Sequence, residues 1–215
     1  MRLQAAAVML RLLLVALAAC ALATSSEQHV DSKPLPLPHE VVSFIKAAVA
    51  RAAGPAEDFG SSVEDAAHGV LALFAVGQAP GGRMSSAVCA LVKGGGHPPA
   101  QPWSASGALL AHEAGAALGC PPPPPERAVL VAVLQAPPAG SETLGEWRSA
   151  ARLLDLMGGD PIPAAALAAA ASRVDALADD DGAFRHSEAS LDASAEATGL
   201  ALELMASLSR LGLAA

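Results

Sequence analysis

Two cysteines, Cys89 and Cys120, are the first residues whose type and spacing point to covalent chemistry. They are the only cysteines outside an apolar N-terminal segment. In an exported chain such an isolated pair forms a disulfide, the alternative being two buried thiols. In the chain-entropy picture a bridge closing a loop of about this length adds about 3–4 kcal/mol when its geometry is unstrained. The other candidates each lack an essential part. His112-Glu113-Ala114-Gly115-Ala116 opens like a zinc-protease helix, but Ala116 stands where the second histidine ligand belongs. Asp179-Asp180-Asp181-Gly182 with Glu188 offers the oxygens of a calcium loop. Its first ligand position falls on Leu177, however, and Arg185 adds a repelling positive charge. Lys93 precedes Gly94-Gly95-Gly96, where it cannot reach a phosphate cradled by them, so the run reads as a connector. The six histidines are scattered without metal-ligand spacing, and no Ser/His/Asp relay can be assigned. The expectation is a chain without catalytic residues, metal ligands or cofactor.

The N-terminus carries an address. Arg2 and Arg11 precede the run Leu12 to Ala23, which ends in Ala21-Leu22-Ala23 and is followed by Thr24-Ser25-Ser26-Glu27. This is the layout of a secretory signal peptide over residues 1–23, with an apolar part too short for a comfortable membrane span. Leu17-Ala18-Ala19-Cys20 also fits a bacterial lipoprotein site, but the apolar run continues past Cys20. Removing residues 1–23 takes away two arginines and no acid, lowering the formal net charge from −8 to −10. An acidic chain argues against a nucleic-acid footprint or a polybasic membrane patch. The chain has no Asn, and so no N-glycosylation sequon. No stretch after the signal peptide is apolar enough for a membrane span.

The elements that must position these residues are helices. Residues 24–38 form a Pro-punctuated, extended lead with Pro34, Pro36 and Pro38. Helices are predicted over 40–53 (apolar face Val41, Phe44, Ile45, Val49) and 61–77 (Val63, Ala67, Val70, Phe74). Others follow over 86–92, 103–119, 126–134, 143–158, 163–177 and 193–212. Capping boxes are read at Ser61-x-x-Glu64 and Thr143-x-x-Glu146. Four helices end in an apolar residue followed by Gly77, Gly119, Gly158 or Gly212, as a left-handed cap requires. These glycines recur at intervals of 42, 39 and 54 residues, with shorter helices between them. The pattern predicts an all-α domain over 39–215, an array of antiparallel helical hairpins forming a solenoid or partial toroid. The one ambiguous run, Ala128 to Leu134, is assigned to helix because Pro125-Glu126 is a helix start. Alanine-lined faces let the axes approach closely and compensate for few core aromatics, namely Phe44, Phe74, Trp103, Trp147 and Phe184.

Three segments carry a resemblance. Ser62-Val63-Glu64-Asp65-Ala66 runs into Leu71-Ala72-Leu73-Phe74-Ala75-Val76-Gly77. The Cys89 and Cys120 pair has Val92-Lys93 after its first member and a long Ala-rich helix before its second. Asp181-Gly182-Ala183-Phe184-Arg185-His186-Ser187 is followed by Glu196-Ala197-Thr198-Gly199-Leu200-Ala201-Leu202-Glu203. In this order they resemble the N-terminal luminal region of the ribophorin II family, subunit 2 of the endoplasmic-reticulum oligosaccharyltransferase. The likeness covers most of residues 61–212, and its most specific part is Asp181, Gly182, Phe184 and Ser187 with Gly199, Leu200, Ala201, Leu202 and Glu203.

The resemblance implies a non-catalytic subunit on the luminal side of the endoplasmic-reticulum membrane. Its partners would be the other subunits of the complex that transfers an oligosaccharide from a dolichol carrier to Asn in Asn-x-Ser/Thr. It implies no catalytic residues to carry over. Family members continue into β-rich luminal domains and C-terminal transmembrane helices, whereas this chain stops at Ala215. The alternative is a secreted or periplasmic helical-repeat module that binds a protein or peptide on its concave face. A metal-dependent enzyme of the α/α-toroid class would need carboxylates converging inside the ring. The acids here cluster instead at helix starts and in the 179–181 turn.

Overall fold

A computed structural model describes residues 37–94, 104–135, 143–180 and 182–212. The expected signal peptide, Trp103, Gly95, Gly96 and Asp181 lie outside these residues. Among those described, the chain is all-α, with eight helices. They are α1 (His39–Ala53), α2 (Val63–Ala75), α3 (Gly82–Val92), α4 (Ala105–Ala117), α5 (Arg127–Gln135), α6 (Thr143–Met157), α7 (Ala164–Asp175) and α8 (Ala195–Arg210). No strand occurs among the described residues, only two isolated antiparallel bridges, Ala178 with Phe184 and Phe184 with Ser194. The ambiguous apolar run is helix α5.

Local chemistry sets the ends. Pro38 precedes α1, and its carbonyl accepts from the amides of Val41 and Val42. At α2 the expected capping residue shifts by one. Ser62 is the N-cap residue, its hydroxyl accepting from the Asp65 amide at 3.2 Å, because the backbone of Phe59–Ser61 is already spent on a 3-10 turn. Helix α3 starts at Gly82, four residues before the predicted start. The four predicted cap glycines all adopt positive φ, between 58° and 105°. At Gly119 the cap is explicit: the Cys120 amide reaches back to the Gly115 carbonyl at 2.7 Å, and the Gly119 amide to that of Ala116.

The chain divides into two compact units, residues 1–100 with 110–122 and residues 101–109 with 123–215. Helix α4 contributes its first turn to the second unit and its remainder to the first.

In the first unit α2 packs against α1 and α3. The core holds Ile45, Val49, Ala66, Ala67, Val70, Leu73, Val88 and Val92, with Ala111 and Ala114 from α4. Two predicted face residues are corrected: Phe44 is 52% exposed and Phe74 38% exposed. Leu73, one position earlier, is buried in the place expected for Phe74. The buried aromatic is Phe59, which the helical periodicity does not flag. Its ring lies across α2 at Gly69, where an added Cβ would stand 2.6 Å from a ring carbon. Phe59 holds φ at 55° and Glu57 at 58°, a left-handed backbone that costs a non-glycine residue about 1–3 kcal/mol. Burial of the Phe59 ring offsets that strain.

In the second unit α5 packs against α6 and α7, and α8 against α6 and α7. The directions follow from named contacts. Arg127, at the start of α5, donates to the carbonyls of Gly158 and Asp160 just past the end of α6, so α5 and α6 are antiparallel. Arg148 Nε meets Glu203 Oε2 at 2.7 Å, and Arg210 Nε meets Asp155 Oδ2 at 2.7 Å. Both pairs span 55 residues, so α6 and α8 run parallel and in register. The parallel run of α6 and α8 is compatible with the expected array of hairpins. Their core is mostly Leu and Ala, with Leu130, Leu134, Leu144, Leu153, Leu154, Leu167, Leu204 and Leu208 buried around Trp147.

The contact between Phe59 and Gly69 yields a test. Phe59→Ala should cost about 3–5 kcal/mol through the cavity it opens. Gly69→Ala should cost about 1–3 kcal/mol, although alanine is the better helix former. The double variant should lose less than the sum, since the new methyl occupies part of the space left by the ring. Urea unfolding measures all three; a Gly69→Ala protein more stable than the parent would refute the contact.

Candidate functional site

The second unit brings three helix N-termini into one hydrogen-bonded series. Each such end leaves unpaired amides and the positive pole of the helix dipole. At α4, Ser104 Oγ accepts from the Gly107 amide at 3.0 Å. Glu146, from the first turn of α6, accepts from the Ala105 amide at 2.7 Å and from the Ser106 amide at 3.3 Å. Glu146 is only 9% exposed, and Ser149 adds a contact to Ser106 Oγ at 3.3 Å. Glu146, the far member of the expected Thr143-x-x-Glu146 box, caps a helix 41 residues away; the Thr143 side chain lies outside the described residues. At α6, the Leu144 amide donates to the His186 carbonyl at 3.2 Å. At α8, Ser194 Oγ accepts from the Ala197 amide at 3.0 Å.

The segment 178–194 links these ends. Its path is held by Phe184, whose amide donates to Thr198 Oγ1 at 3.1 Å and whose carbonyl accepts from the Ser194 amide at 3.0 Å. The Thr198 hydroxyl in turn donates to the Ser194 carbonyl at 2.9 Å. The Phe184 ring packs on the Leu and Ala core. Gly182 makes the bend at φ 83°. Ser187 is 4% exposed and shares a hydrogen bond with Ser190 at 3.1 Å.

His186, at the middle of this segment, meets both a hydroxyl and an acid. Its Nε2 lies 3.3 Å from Ser194 Oγ and 3.7 Å from Glu196 Oε2. A Ser–His–acid relay needs the acid on the opposite ring nitrogen, so that the imidazole is oriented while the other nitrogen takes the proton. Here both neighbours compete for one nitrogen, and the serine oxygen is already used as a helix cap. The contacts that the described residues make anchor the turn to the start of α8.

The resemblance-bearing residues divide by role. Gly182, Phe184 and Ser187 shape the turn with Ser194 and Thr198. Ala201 is buried at 1% exposure and Leu200 packs partly on the core. Glu203 forms the ion pair with Arg148, Leu202 points out at 62% exposure, and no atom stands within 4 Å of a Cβ placed on Gly199. Asp179 Oδ1 stands 3.1 Å from Arg185 Nε, a contact of charges without hydrogen-bond alignment, while the guanidinium donates to the Ala176 carbonyl. Cys89 and Cys120 are joined, with Cα atoms 5.9 Å apart. The bond ties α3 to the cap of α4, and Cys120 is buried at 7% exposure. His112 sits half-buried on α4. Among the described residues no group of three His, Cys, Asp or Glu side chains is placed to hold a metal ion.

Sequence reading misses Glu146 as a cap for α4 because its partners are remote in sequence. A faint signal exists: an acid at the first turn of an otherwise apolar helix face, flanked by Leu144 and Trp147.

Three outcomes test this description by unfolding free energy and mass. Glu146→Ala should lose about 2–3 kcal/mol, the range for hydrogen bonds to a charged group, with Glu146→Gln losing less because one acceptor oxygen remains. Gly199→Ala should gain about 0.5–1 kcal/mol, since the added methyl meets nothing and the helix interior prefers alanine; a loss would show an unseen close neighbour. The oxidised protein should take up no thiol label until reduced, then two, and Cys89→Ser with Cys120→Ser should cost about 3–4 kcal/mol. Compared with known proteins, the chain matches no family model, no curated protein and no solved structure at a significant level.

Proposed function

We propose that this chain is a non-catalytic luminal subunit, or part of one, of the oligosaccharyltransferase complex of the endoplasmic reticulum. The carrying observation is the ordered likeness of three segments to the ribophorin II family, above all Gly182, Phe184 and Ser187 followed by Gly199 to Glu203. Two features support the reading. The hydrogen bonds of the 178–194 turn are spent on holding α6 and α8, which suits a scaffold. The Cys89–Cys120 bond suits the oxidising lumen. The function in this reading is to hold other subunits in place, with the chemistry performed by one of them.

A second reading, a secreted or periplasmic helical-repeat binding module, is favoured by the apolar Leu202, which is 62% exposed on α8. Among the described residues no helix is long and apolar enough to cross a membrane.

The full chain, tagged and expressed with its own residues 1–23, should co-purify with the catalytic subunit from microsomes opened by mild detergent. Its absence from complexes that retain their other subunits would overturn the leading proposal. Recovery from culture medium or a bacterial envelope would favour the second.

A further inference from the structure

We draw no further inference here: the strongest candidate, the outward face of α8 made by Ala195, Gly199, Leu202 and Ala206, is an apolar stripe of mostly small side chains, and nothing in the structure shows what covers it.

Discussion

A carboxylate buried against the end of a helix is the constraint on which the second unit depends. Glu146 gives up most of its water and receives in return two backbone amides of α4 and the favourable pole of that helix dipole. An uncapped N-terminus brought this close to a Leu and Ala core would leave donors unsatisfied, at about 1–3 kcal/mol each. The exchange requires the first turn of α6 to lie beside the start of α4. The same end of α6 is then pinned by the His186 carbonyl, which comes from the turn that caps α8. Satisfying one set of amides thus places the next, and the parallel register of α6 and α8 follows. The ion pairs Arg148–Glu203 and Asp155–Arg210 lie along that register as a consequence. They are half-exposed and add little energy, but a shift of one residue would break both.

Small residues provide the other half of the architecture. At two places a missing Cβ admits a neighbour that no larger residue would. Gly69 receives the ring of Phe59, and Gly115 lets Cys120, Pro121 and Pro122 fold back over α4, with backbone atoms at 2.9 Å from where a Cβ would stand. The second approach also brings Cys120 to Cys89, so the disulfide depends on a glycine five residues upstream of it. Gly199 differs from both, being open on its missing side.

Much of this was legible from residue types. Helix ends follow from glycine, proline and hydroxyl residues acting over a few positions, which is why the cap glycines and Ser194 lie where local chemistry demands. The cysteine pair was legible because two cysteines leave one pairing. Periodicity failed where one residue decides the face: Phe44 and Phe74 fit the apolar spacing yet point outward, while Leu73 and Ala66 point in. Phe59 was missed because a lone aromatic in a glycine-, proline- and acid-rich loop has no period to belong to. Glu146 satisfied a local motif and is used by a remote one, since a carboxylate at a first turn serves whichever amides are left unpaired nearest to it.

The polar groups at the three helix ends of the second unit are consumed within the chain. Converging helix N-termini are a ready place for an anion or a developing negative charge, because their amides are preorganised. In this chain Glu146 supplies the negative charge at α4, the His186 carbonyl occupies α6, and Ser194 with Glu196 in the first turn occupies α8. An external anion at the start of α4 would have to displace a carboxylate already held by two hydrogen bonds. The amides of these three helix ends are thus spent, at least in part, on joining helices to one another and to the turn before α8.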